Sequence, residues 1–278
     1  MLRSLNGGAI HVSIQNLEEG IAACRLGGFD CLAMSPSLVE GISVSEIKES
    51  MFDAYVAPGA WGIPFNWRGT VEEFEIGLKK MESQAALMAE IGVTRCATWI
   101  MPGSNDFELN ENKEFHYRRL EPIGKLLDAH GMVLGLEFIG PKTLRSQFKH
   151  EFLYSLKPMY EFAQIVGPNV GLLVDAWHIH TSQSSLDDLA EIPAEKIALV
   201  HINDAPKNLS IDELVDHQRR LPCTTGVIDM SGFMAALRQT GYEGPVEAEP
   251  FDDSLKELAS DKERLELTGR SISKAFNA

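Results

Sequence analysis

Met132-Val133-Leu134-Gly135-Leu136-Glu137-Phe138-Ile139, then a helical stretch over Phe152–Val166, then Val170-Gly171-Leu172-Leu173-Val174-Asp175: this passage decides the fold. Two apolar runs bracket a helix long enough to carry the chain back to its starting end, so the runs pair as parallel strands. Gly140-Pro141 closes the first run and Gly167-Pro168 ends the helix. The phrase recurs in both directions. Strands are expected at Leu2–Asn6, Phe29–Met34, Asp53–Ala57 (halted by Pro58-Gly59), Val93–Ile100, Met132–Ile139, Val170–Val174, Ile197–Ile202 and Val246–Ala248. Helices are expected at Leu17–Leu26, Ser43–Ser50, Thr70–Glu90, Glu114–His130, Phe152–Val166, Ser185–Glu191, Met230–Thr240 and Asp253–Phe276. Thr70–Glu90 is the clearest of them. Thr70 caps it, Glu73 completes a capping box, and Phe74, Leu78, Met81, Ala85 and Met88 recur at helical spacing.

Eight strand-and-helix units in 278 residues suit a (β/α)₈ TIM barrel, an α/β fold that typically takes roughly 250 residues. A doubly wound sheet would carry a glycine-rich phosphate loop after its first strand, and no G-x-G-x-x-G is present. No linker or composition shift divides the chain, so residues 1–278 are read as a single domain.

The chain has 25 Lys and Arg against 40 Asp and Glu, a formal charge of −15. That charge repels phosphate backbones and anionic membranes, which argues against nucleic-acid and membrane partners. No run approaches a membrane span, and Met1 to Asn6 lacks the apolar core of a signal peptide. Cys24, Cys31, Cys96 and Cys223 form no C-x-x-C pair and read as free thiols. A cytoplasmic location is the expectation.

Residues at the C-terminal strand ends of such a barrel share one mouth. The fifth strand delivers Glu137 there, the sixth Asp175, the seventh His201, and the eighth both Glu247 and Glu249. Taken singly, each has an ordinary explanation: a salt bridge for Glu137 or Glu249, a turn cap for Asp175, a core hydrogen bond for His201. Four consecutive strands each pushing an ionisable group into one opening is another matter, because like charges repel and buried ones are costly. A divalent cation between them is the simplest balance. Mostly oxygen donors suit Mn²⁺ first, with Mg²⁺, Co²⁺, Fe²⁺ or Zn²⁺ as alternatives. Glu247 and Glu249 share a face of their strand, and the pattern alone does not choose between them.

The ending Gly241-Tyr242-Glu243-Gly244-Pro245-Val246-Glu247-Ala248-Glu249-Pro250-Phe251 resembles the G-Y-x-G-x-x-x-x-E-P-F ending of the xylose isomerase-like sugar phosphate isomerase/epimerase superfamily. Gly135-Leu136-Glu137, Val174-Asp175-Ala176-Trp177-His178 and Val200-His201-Ile202-Asn203-Asp204 resemble its other strand-end elements, in the same order. The group includes ketose 3-epimerases and inositol-catabolism isomerases and dehydratases. The resemblance implies that Glu249 is the ligand. It places His178 and Asp204 beside the metal or the substrate. It also gives a substrate-reaching arginine to Arg219, in Arg219-Arg220-Leu221-Pro222-Cys223-Thr224-Thr225-Gly226, where Cys223 replaces the family's glycine after the proline.

The expected chemistry begins with removal of the acidic proton next to a carbonyl, with a metal ion stabilising the enediolate and Glu137 and Glu249 as the two bases. Isomerisation or epimerisation of a sugar, keto-sugar or inositol derivative follows, and loss of a hydroxyl would make the protein a lyase instead. Trp99, Trp177 and the Trp61–Trp67 loop offer walls for a sugar ring, or ordinary packing. A metal-dependent endonuclease would need a basic groove, and a non-catalytic barrel would not need the ligand set. A homo-oligomer is an analogy from the superfamily only.

Overall fold

The computed structural model describes residues 1–278. Eight parallel strands close into a barrel in chain order. They are β1 (Leu2–Leu5), β2 (Cys31–Met34), β3 (Ala57–Gly62), β4 (Arg95–Ile100), β5 (Val133–Phe138), β6 (Val170–Asp175), β7 (Ile197–Ile202) and β8 (Pro245–Ala248). Every residue of β6, β7 and β8 is buried, as parallel strands covered by helices must be. Longer helices, among them Leu17–Gly27, Val71–Glu90, Leu109–Ala129, Leu156–Val166, Met230–Thr240 and Asp261–Phe276, follow the strands. The Thr70–Glu73 capping box forms as expected. No helix is long and apolar enough to cross a membrane. Cys24, Cys31 and Cys96 are buried free thiols, and Cys223 is a half-buried one.

The third strand departs from the expectation. The helix Val44–Asp53 takes Asp53, residues 54–56 form the turn after it, and β3 begins only at Ala57 and runs on through Pro58-Gly59. Proline is tolerated because β4 pairs with β3 only at Trp61 and Gly62, so the missing N–H at Pro58 faces no partner there. The register with β2 slips just past Pro58, and a Cβ on Gly59 would stand 2.7 Å from the Leu32 carbonyl oxygen. What resembles a turn signal is an irregular strand pressed against its neighbour. Three helix starts also differ from the expectation, the helix expected from Phe152 beginning at Leu156 after Ser155. The helix read from Glu114 starts at Leu109, where Glu111 accepts the backbone N–H of Glu108, an unusual cap residue. The last helix begins at Asp261 behind a Ser260 cap, after a separate 3₁₀ turn at Asp253–Glu257.

The first and last helices close the barrel's outer ring over β1. A Cβ at Gly269 would lie 1.8 Å from the Gly27 carbonyl oxygen, so their backbones touch. Gly269→Ala must push the two helices apart, and we expect a loss of about 1–3 kcal/mol in urea unfolding.

Candidate metal centre

Parallel strands place their C-terminal ends on one rim. Glu137 is the penultimate residue of β5, Asp175 the last of β6, and His201 the penultimate of β7; Glu249 follows β8 directly. One ligand atom from each of these four lies within 4.8 Å of the others. His201 Nδ1 sits 3.3 Å from Glu249 Oε2, 3.6 Å from Glu137 Oε1 and 3.9 Å from Asp175 Oδ2. The geometry therefore selects Glu249 for the group, while Glu247 stands on the other side of His201.

Three buried atoms here have no hydrogen-bond partner: Glu137 Oε1, His201 Nδ1 and His201 Nε2. Each unsatisfied buried polar atom costs about 1–3 kcal/mol. Burial pushes the Glu137 carboxyl well above the ordinary carboxylate range, and the charges of Glu249 and Asp175 add to that, against His201. Burial acts to raise Glu249 too, but His201 and Arg219 outweigh it and hold that carboxyl low. Burial would lower His201, yet the surrounding carboxylates, Glu249 foremost, raise it well above its usual value. Three carboxylates and an imidazole with free lone pairs fit a divalent ion of the oxygen-preferring kind.

Each member is held from behind. Asp175 Oδ1 accepts the Trp177 backbone N–H at 2.7 Å and the Asn203 side-chain amide at 2.9 Å, which turns Oδ2 into the site. Asp175 is thus a cap for the helix Ala176–Thr181 and a member of the group at once. Arg219 Nη1 donates to Asp175 Oδ2 at 2.8 Å and to Glu249 Oε2 at 2.9 Å. Its Nη2 donates to Asp216 Oδ1 at 2.8 Å. The guanidinium stands 4.9 Å above the Phe251 ring, which gives the phenylalanine of Glu249-Pro250-Phe251 a packing task. His178 Nδ1 accepts the Gly140 N–H at 3.1 Å, and its Nε2 stands 3.3 Å from Arg219 Nη2, 3.7 Å from Glu137 Oε1 and 3.8 Å from Asp175 Oδ2. Burial lowers His178, keeping it neutral.

The group opens into a mouth of about 690 Å³. Glu137, His201, Glu247 and Glu249 contribute to it, with Trp61, Trp99 and the apolar side chains Leu5, Val12, Ile14 and Leu38. No lysine or arginine lines it. Trp99 is 44% exposed, with the Arg68 guanidinium stacked between its ring and that of Trp67, at 3.9 and 3.8 Å. Trp67 and Trp177 are buried and outside the lining.

Of the residues expected beside metal or substrate, the structure brings Arg219 and His178 to the four-residue group, behind it rather than in the mouth. Asp204 lies elsewhere. Its carboxylate accepts backbone N–H groups from Ala205, Thr225, Gly226, Val227 and Ile228, and so pins both ends of the 205–228 connection. Asn203, one residue earlier, reaches Asp175 instead, because strand side chains alternate. Sequence reasoning singled out neither Asn203 nor Asp216; the even spacing of Asn203 from His201 was the available signal.

Comparison with known proteins agrees with this architecture. The inosose isomerase of Bacillus velezensis is 24% identical over 273 residues, covering 94% of this chain and 94% of that protein. The solved structure of a xylose isomerase domain protein from Alicyclobacillus acidocaldarius superposes with a TM-score of 0.87 at 25% identity, over 99% of this chain and 98% of that one. The IOLI protein, solved with a binding zinc atom, superposes with a TM-score of 0.79 at 20% identity, over 100% of this chain and 98% of that one. Residues 16–272 match the family described as xylose isomerase-like TIM barrel. Since that match runs from the first helix into the last, the chain belongs to the xylose isomerase-like TIM barrel family.

Proposed function

We propose that this chain is an isomerase or epimerase of an unphosphorylated ketose or keto-polyol, with one divalent ion held by Glu137, Asp175, His201 and Glu249. The observation that carries the reading is the convergence of one ligand atom from each of these four side chains, where the buried Glu137 Oε1 and His201 Nδ1 lack hydrogen-bond partners, beside a mouth that Glu137, His201 and Glu249 line. The inosose isomerase relative supports the reaction class, and the zinc in the IOLI structure supports the metal. The mainly oxygen donor set favours Mn²⁺.

A divalent ion in this position supplies Lewis-acid polarisation of a carbonyl oxygen and stabilises the negative charge left by proton removal. The residues supply the rest. Glu137 and Glu249 both serve as carboxylate bases at the carbon next to the carbonyl: one takes the proton, and either it or the other glutamate, protonated from solvent, returns one. Return to the opposite face of the same carbon inverts it, and return to the neighbouring carbon moves the carbonyl. His178 sits behind the group, its Nε2 edge packed against Arg219 and the Glu137 and Asp175 carboxylates. Trp99 and Trp61, which line the mouth, would supply apolar walls for the C–H faces of a ring. Arg219 holds the carboxylates of Asp175 and Glu249 and fixes the connection over them.

A phosphate group brings a charge of about −1.5 to −2 and needs cationic or N–H partners. The absence of lysine and arginine from the lining, in a chain of charge −15, is what favours an unphosphorylated substrate. The test is incubation of Mn²⁺-loaded protein in D₂O with inososes, ketoses and their phosphates. One deuterium at the carbon next to the carbonyl of an unphosphorylated member, without loss of water, is the expected result. A product lighter by one water makes the protein a dehydratase, and exchange confined to phosphates removes the substrate assignment.

A further inference from the structure

A row of four polar side chains crosses four adjacent strands in register: Ser4 on β1, Glu247 on β8, His201 on β7 and Asp175 on β6. Glu247 is buried, and neither the metal group nor the proposed proton transfer uses it. Its Oε1 accepts from Ser4 Oγ at 3.0 Å, and its Oε2 accepts from the Asn6 side-chain amide at 3.1 Å. Oε2 also stands 3.6 Å from His201 Nε2, and Glu247 is the one carboxylate within 4.0 Å of that nitrogen; the others face Nδ1. Burying a carboxylate on two neutral donors is costly, so packing alone would favour an apolar residue there.

We propose that Glu247 is a positioning residue for His201, holding the Nε2–H edge of the ring so that the Nδ1 lone pair faces Glu137, Asp175 and Glu249. The inference rests on the reading of those residues as a metal group. A neutral imidazole carries one proton, and the nitrogen that binds a cation must be the bare one. The proton then lies on Nε2, inside the protein, where it needs an acceptor. Glu247, itself held by Ser4 and Asn6, brings the nearest carboxylate oxygen to that nitrogen, at 3.6 Å, and is the acceptor the proposal assigns. A carboxylate behind a ligating histidine fixes ring orientation and raises the ring's basicity toward the metal.

The test is Glu247→Gln, read by calorimetric titration with Zn²⁺ and by ¹⁵N NMR of the His201 ring in the Zn²⁺-loaded protein. We expect Zn²⁺ binding about 10- to 100-fold weaker, metal-free thermal stability nearly unchanged, and a slowly exchanging Nε2–H signal in the parent that exchanges fast in the variant. Equal Zn²⁺ affinity, or an unaltered Nε2–H signal, overturns the inference. A parent that binds no Zn²⁺ overturns the metal reading beneath it, a distinct outcome. Should Glu247→Gln not fold, Asn6→Ala removes one anchor of the carboxylate from a half-buried position. Weaker Zn²⁺ binding is then expected, and an unchanged Kd overturns the proposal.

Discussion

Glu137→Gln and Glu249→Gln each slow deuterium exchange at the substrate carbon by about 10²- to 10⁴-fold, the range one general acid or base contributes. Glutamine keeps the size of the side chain and a carbonyl oxygen that can still ligate, but it takes up no proton at neutral pH. Rate and metal content must therefore be measured on the same samples. A variant that retains its ion and loses exchange identifies a base. A variant that loses both identifies a ligand and leaves the base unassigned. Each variant keeps one of the two glutamates, so its residual exchange should be a slow wash-in of solvent deuterium on the face that glutamate serves, without turnover to product. Full exchange in both variants removes the two-base scheme.

Arg219→Ala has the largest expected effect on stability. The guanidinium is fully buried and bonded to Asp175, Glu249 and Asp216, which come from the end of β6, the segment after β8 and the 205–228 connection. Removing one partner from a buried ionic network leaves uncompensated charge, at a cost of about 3–5 kcal/mol. For a chain of this size that corresponds to a fall in Tm of roughly 10 °C. Lysine is a point charge and does not bridge three carboxylates in a plane, so Arg219→Lys recovers part of the loss only. The deficit should shrink when Mn²⁺ is present in excess, because a cation at the neighbouring group relieves the same two carboxylates. Scanning calorimetry of the metal-free and metal-loaded forms checks both statements. A Tm within about 2 °C of the parent would mean that the network carries little net stability.

Much of this site is legible in the sequence for one reason. Strands buried on both faces are apolar throughout, so Glu137, Asp175 and His201 stand out against Leu136, Val174 and Val200. The order of units gives the barrel, and the barrel gives the common rim. What stays hidden depends on side-chain direction and long-range partners. Glu247 and Glu249 share a strand face, and only the position of His201 between them separates their environments. Asp204 looks like a site residue by type, but its odd spacing from His201 turns it outward to the backbone of residues 225–228. Arg219 lies 44 residues from Asp175 and 30 from Glu249, and no local pattern announces that pairing. The third strand runs through Pro58-Gly59 although that pair carries the composition of a turn, and only the pairing of the neighbouring strands shows that Pro58 faces no partner on β4.

Titration of chelator-treated protein with Mn²⁺, followed by calorimetry, addresses the four-residue group most directly. One saturable ion per chain is predicted, with binding weakened at least about 100-fold in Asp175→Ala and in His201→Ala. Heat of dilution alone, or an ion bound as tightly by both variants as by the parent, would contradict the assignment.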